Sequence, residues 1–371
     1  MSIPDDPRRR ALLDRRLRDL HGVGVDDVLD VLEYLREPGD TAVAGGSLTF
    51  GLGNRLSDFD VVICGAGTSR SLVPLEHWVG DLRVDVWTRS HADVDTLFTL
   101  ARRALAGAAP IAGAFGSIEQ EQQLKLLHRI AFGLDLAGPA LAPAAVPDVR
   151  SVARDLVVRE YAERLRESVW VAQAAARAGR WLTAVSNARE AVEEACTVVL
   201  TARGVPFTGD KWLHERLRGH APDLADAYRR YAALPDRADD CAVYVADAVA
   251  LAGRLTGLVT GVAELAAQVG WIADDLHLHA AGGTRLLVAP RCGGVWELSD
   301  EDAAAWAELS TSTASPDPAG YGRVVWRGAD PALTGFCLGL YELGLLRLDW
   351  DRGVPLAELS IVVEPSGVGS A

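Results

Sequence analysis

The stretch Val43-Ala44-Gly45-Gly46-Ser47-Leu48-Thr49-Phe50-Gly51 leads into Ser57-Asp58-Phe59-Asp60-Val61-Val62-Ile63, and Val84-Asp85-Val86 lies downstream. In a strand, residues i and i+2 point to the same face. Asp58 and Asp60 therefore converge on one side of a run that Val61, Val62 and Ile63 carry into the core. Phe59 between them points into the core and fixes the strand. Asp85, flanked by two valines, has the pattern to sit beside them on a neighbouring strand. Three carboxylates on one sheet face repel strongly unless a cation neutralises them, so the cluster implies Mg²⁺.

Upstream, Gly45 and Gly46 let the backbone approach a phosphate, and backbone N–H groups with the Ser47 hydroxyl can hydrogen-bond its oxygens. Gly51 and Gly53 keep the following loop open, and Arg55 is a candidate second phosphate contact. Taken singly, Gly-Gly-Ser is an ordinary turn, and Asp-x-Asp is common on solvated strand ends. The combination is distinctive because the turn follows an apolar stretch and the paired acids precede one. Two metal ions held this way activate an attacking hydroxyl and stabilise leaving pyrophosphate in an in-line displacement.

The chain has 371 residues, enough for two or three domains, with 49% hydrophobic and 24% charged residues. Its formal net charge of −14 provides no global basic field to draw in nucleic acid. The basic run Arg8, Arg9, Arg10, Arg15, Arg16 and Arg18 reads as a solvated helix face. Five cysteines, Cys64, Cys196, Cys241, Cys292 and Cys337, are scattered without the spacing of a zinc site or a disulfide framework. Neither a signal pattern nor a membrane-length apolar run is evident, so a cytoplasmic location is expected.

Leu12, Leu13, Leu17 and Leu20 predict helix over 8–36, interrupted at Gly22-Val23-Gly24 and ended by Pro38-Gly39. Strands are expected near 41–45, 58–64 and 82–88, and a helix over 117–133 that carries His128, read as a packing residue. The Pro/Ala-rich run 138–147 reads as a linker. Residues 150–275 are almost wholly helix-patterned, with breaks at Gly179, Gly204 to Gly209 and Pro235, which suits an antiparallel bundle of four or five helices. Within it, Asn187, Glu190 and Glu194 fall on one stripe. Beyond it, a strand is expected over 284–290 and helices over 301–308 and 336–348. A loop is expected over 311–320 and disorder over 363–371. The domain reading is 1–140, 150–278 and 283–360.

Gly46-Ser47, Gly51 and Ser57-Asp58-Phe59-Asp60 resemble the signature of the DNA polymerase β-like nucleotidyltransferase superfamily, and the spacing from Ser47 to Asp58 is similar to its small-molecule and minimal members. The resemblance covers roughly the first third of the chain. It implies an α+β fold built on a small mixed sheet backed by helices. It also implies that Asp58, Asp60 and Asp85 are the metal-binding catalytic carboxylates and that Gly45, Gly46 and Ser47 grip the triphosphate. The helical part resembles the domain attached to antibiotic nucleotidyltransferases and to HEPN proteins, which implies Glu190 or Glu194 as general base and Lys211 as a phosphate contact. Arg216, Arg218 and His220 lack the spacing of HEPN ribonucleases. The C-terminal part resembles small winged-helix modules that bind peptides.

These expectations combine into a Mg²⁺-dependent transfer of a nucleoside monophosphate, AMP from ATP foremost, to a hydroxyl of a small-molecule acceptor. Trp87 or Trp212 could stack on the base, with packing the commoner use of each. Two other readings stand beside it: a regulator that AMPylates a protein or peptide recruited by the C-terminal domain, and a non-catalytic antitoxin-like interaction protein. A homodimer is compatible with any of them. Membrane partners are not expected, and nucleic acid is disfavoured by charge.

Overall fold

The computed structural model of the protein describes residues 6–66, 71, 73–106, 120–138, 148–205, 211–235, 237–257, 268–273, 276–281, 283–289, 294–310, 321–326, 331–343 and 345–348. The chain is mixed α+β and divides into two compact units. One comprises residues 1–161, 196–227 and 361–371, and the other residues 162–195 and 228–360. The linker 139–147, the loop 311–320, Cys292 and the segment 363–371 lie outside the described residues.

The first unit is built on a five-stranded sheet. Its strands are β1 (Thr41–Gly45), β2 (Phe59–Gly65), β3 (Leu75–Val79), β4 (Leu82–Ser90) and β5 (Leu134–Ala137), in the order β3-β4-β2-β1-β5. β2 and β4 run parallel and every other neighbouring pair runs antiparallel, so the sheet is mixed. The expected strands at 41–45, 58–64 and 82–88 are present. β3 and β5 are additions that the sequence pattern did not yield.

Both faces of the sheet are covered, which explains why β2 is buried along its whole length. Phe59, Val61 and Ile63 pack with Ala42, Ala44, Val84 and Val86 against Leu13, Leu17, Val25 and Val28. The latter belong to helices α1 (Asp6–His21) and α2 (Val25–Val31), which realise the 8–36 prediction with its break at Gly22-Val23-Gly24. On the opposite face Val62 and Cys64 pack with Val94, Phe98, Leu127 and Leu156. Those residues come from α4 (His91–Ala106), α5 (Gln120–Phe132) and the start of α6 (Val149–Arg177), while α3 is the single turn Gly46–Thr49. Fully burying a side chain such as Phe59 stabilises by about 1.5–3 kcal/mol. The apolar residues that alternate with the acids therefore anchor them.

Arg8, Arg15 and Arg18 are exposed, as a solvated helix face requires, but Arg9, Arg10 and Arg16 are structural, which corrects that reading for these three. Arg9 is buried and donates to the carbonyls of Phe132 at 2.8 Å and Gly133 at 3.1 Å, where α5 ends. Arg10 donates to the Leu136 carbonyl of β5 and pairs with Asp26 at 2.9 Å. Arg16 donates to the Gly53 carbonyl. Carbonyls at helix ends and in loops have no partner within their own element, and a guanidinium with five donors can satisfy several at once. These three arginines thus hold α1 to the sheet and to the loop after α3.

Among the described residues, five helices follow in the expected helical region: α6, α7 (Trp181–Ala202), α8 (Leu213–His220), α9 (Pro222–Ala232) and α10 (Ala238–Thr256). The helical pattern does not extend to 275, however, because Gln268–Ala273 forms strand β6. The second unit also holds β7 (His277–Ala281), β8 (Thr284–Ala289), β9 (Gly294–Leu298), α11 (Asp300–Ser310), β10 (Tyr321–Trp326), α12 (Pro331–Glu342) and β11 (Leu346–Leu348). These strands make two antiparallel three-stranded sheets, β7-β8-β9 and β10-β6-β11. The helix expected over 336–348 stops at Glu342, and Leu346–Leu348 pairs with β6 as a strand instead. Its alternation had been hidden in a continuous apolar run, which periodicity alone cannot assign. No described helix is long and apolar enough to cross a membrane.

Candidate metal centre

The sheet register places the acids in one row. Gly45 of β1 is opposite Asp60 of β2, and Asp60 is opposite Asp85 of β4. Asp58 lies just before β2, two residues from Asp60 and on the same face. One carboxylate oxygen from each of Asp58, Asp60 and Asp85 lies within 4.8 Å of the others. The expected triad is therefore assembled, from two adjacent parallel strands.

The Gly-Ser turn stands against this row. Gly46 adopts φ +73°, a left-handed conformation, and a Cβ there would lie 2.1 Å from Asp60 Oδ2. Glycine is required at this position both by the backbone and by the close approach of the carboxylate. Gly45 has no such backbone need, yet a Cβ on it would lie 2.8 Å from Arg129 Cγ. The turn is braced internally: Thr49 Oγ1 donates to the Gly45 carbonyl at 2.6 Å, and the Ser47 carbonyl accepts from Leu52 N–H at 2.9 Å and Gly53 N–H at 3.2 Å. Ser47 itself is buried.

Two arginines that the sequence reading did not single out complete the cluster. Arg129, on α5, pairs with Asp60 at 2.6 Å. Arg83, on β4 two residues before Asp85 and hence on the same face, reaches Asp58 at 3.0 Å and Asp85 at 3.2 Å. This corrects the inference that only a metal ion can relieve the repulsion, because two guanidiniums already offset much of it. Burial pushes the Asp60 carboxyl up to about 6 against the pull of Arg129, and the neighbouring Asp58 and Asp85 push it further up. Asp85 is also raised, first by burial, with Arg83 opposing. The Arg129 guanidinium lies 5.7 Å from the Trp87 ring centre, and Arg89 lies 5.5 Å from the same ring. Trp87 thus lies near two cations. Arg83 was legible as the i−2 neighbour of Asp85, whereas no sequence signal joins α5 to β2.

The remaining expected site residues lie on other segments of the chain. Arg55 is largely exposed and pairs with Asp81 at 2.7 Å. Lys211 is exposed, with Nζ 5.7 Å from the ring of Trp212. Glu190 and Glu194 lie on α7 in the second unit. Glu190 is exposed, while burial raises the Glu194 carboxyl to about 8 against the opposing hydrogen bond from Ser168. His128 is buried in edge and tilted contacts with Phe50 and Phe132, as a packing residue. The four described cysteines are buried and unbonded to one another, and burial pushes the Cys64 thiol up to about 12, as suits apolar filler.

No protein-family model and no curated protein matches the chain. A solved structure similar to it is that of a nucleotidyltransferase-like protein from Exiguobacterium sibiricum 255-15. The two share 11% sequence identity over 62% of this chain and 77% of that one, with a TM-score of 0.28. A likeness so slight carries no argument, and the functional reading rests on the residues themselves.

Proposed function

We propose that the protein is a metal-dependent nucleotidyltransferase that moves a nucleoside monophosphate, AMP from ATP in the foremost form, to a hydroxyl of a small-molecule acceptor. The observation that carries this reading is the row Gly45, Asp60 and Asp85 with Asp58 at its margin and Gly46 pressed against Asp60. The donor set suits Mg²⁺: three carboxylates supply hard oxygen ligands, close enough together to share one ion. When bound, divalent cations neutralise triphosphate charge and polarise the attacking oxygen. The chain itself orients the carboxylates on adjacent strands, and Gly45 and Gly46 are the proposed backbone contacts to the phosphates. Ser47, Arg55 and Lys211 are the proposed phosphate contacts. Glu194 or Glu190 is the proposed base, and a carboxylate poised near 8 such as Glu194 has basicity suited to accepting a hydroxyl proton.

A second reading is favoured by one observation. Because Arg83 and Arg129 already pair with all three acids, the site also suits a non-catalytic protein that retains the fold. Equilibrium dialysis of the four NTPs with and without Mg²⁺ separates the two. The transferase reading expects Mg²⁺-dependent binding that Asp58→Asn abolishes without lowering the melting temperature. Absence of Mg²⁺-dependent binding would leave the non-catalytic reading.

A further inference from the structure

We infer that Arg83 and Arg129 are exchangeable counter-ions of the triad: they hold the carboxylates while no metal is present and turn to the triphosphate when a cation and nucleotide enter together. The inference rests on the reading of the site as a nucleotidyltransferase centre and adds the residues that couple its two ligands.

The argument begins with occupancy. Arg129 lies on Asp60 Oδ1, and Arg83 lies on Asp58 Oδ2 and donates to Asp85 Oδ2, so each of the three carboxylates is already paired with a guanidinium. Gly46 backs the remaining Asp60 oxygen, Oδ2. A cation entering the triad must therefore displace or share these ion pairs.

Charge sets the next step. Three carboxylates facing two guanidiniums leave one net negative charge, and a divalent cation alone would turn that into one net positive charge. Asp60 and Asp85 are buried, and surplus charge in a partly desolvated site is costly. A polyanion that arrives with the cation removes the surplus by taking over the released guanidiniums, and Arg matches phosphate oxygens through paired donors.

Position makes Arg129 suited to that exchange. Its aliphatic stem runs so close to Gly45 that no Cβ fits there, so its guanidinium stands beside the Gly-Ser turn. The Trp87 ring supports it from one side.

The test is Mn²⁺ binding followed by electron paramagnetic resonance, with and without a non-hydrolysable ATP analogue, on the full chain. Wild type is expected to bind Mn²⁺ weakly alone and at least about tenfold more tightly with the analogue, within the usual range of coupling between sites. Arg129→Met and Arg83→Met should each bind Mn²⁺ alone about fivefold or more tightly than wild type, and lose most of the coupling. Arg129→Lys, which keeps the charge, should stay near wild type. Circular dichroism melts establish which variants fold, and two positions on different elements keep the test open if one does not. Unchanged Mn²⁺ affinity and unchanged coupling in the methionine variants would overturn the inference while leaving the metal site intact. If wild type and Asp58→Asn alike bind no Mn²⁺ with or without the analogue, the metal reading fails and the inference falls with it.

Discussion

At Gly46 two constraints meet in one residue: a left-handed backbone and a carboxylate oxygen 2.1 Å from where a Cβ would stand. Gly46→Ala should cost about 1–2 kcal/mol for the backbone alone, with a further loss from pushing Asp60 aside. Urea denaturation measures the first effect and Mn²⁺ binding the second; a variant unchanged in both would contradict the geometry. Glu194 gives a pH-dependent prediction. Its folded-state value of about 8 is raised above the ordinary carboxyl value of 4.5, so its contribution to stability is full below about 4.5 and is lost as pH rises through 8. Glu194→Gln should flatten that decline, on the order of a few kcal/mol across the window, read from melts at pH 5 and pH 9. The acids themselves were legible, because alternation fixes which residues share a strand face. Arg129 was not, because its partner lies on another element 69 positions away, a distance no local pattern spans.

Between residue and fold stands α5, the helix that delivers Arg129. Arg9 closes its C-terminal end by donating to two carbonyls from inside the core. Arg9→Met should leave those carbonyls without their charged donor and destabilise the first unit by about 1–3 kcal/mol. Hydrogen exchange across 120–132 should quicken more than exchange across β2. Equal protection of α5 in the variant would show that the cap is dispensable. β1, β2 and β4 were legible from apolar runs that flank the glycine turn and the acids, and α5 from its apolar spacing. β3 was hidden because Leu-Glu-His-Trp-Val is an edge strand with much of its surface exposed, and β5 because four residues give too short a pattern. β6 was absorbed into the helical region because Ala-rich sequence precedes it without a clear break.

For the molecule as a whole, the outline of mixed sheet, helices and a smaller sheet-containing C-terminal part follows from composition and periodicity. The pairing of the C-terminal strands depends on contacts that the linear pattern does not show. His128 links the fold of the first unit to pH. Burial, then the charges of Arg216 and Arg129, hold it down to about 3 from the ordinary imidazole value of 6.5. A depressed value means that its contribution to stability is present above about 6.5 and lost as pH falls toward 3. His128→Phe should therefore lose less melting temperature than wild type between pH 7 and pH 4; equal losses would place the acid sensitivity elsewhere.

The measurement that tests the central claim most directly is pyrophosphate release from each of the four NTPs with Mg²⁺, in the presence of a small-molecule library and cell extract, followed by mass spectrometry of the acceptors. The account predicts Mg²⁺-dependent release, an acceptor heavier by one nucleoside monophosphate, and loss of both in Asp58→Asn. No release from any NTP, with no nucleotide bound, would contradict it and leave a protein whose acids serve only to hold their arginines.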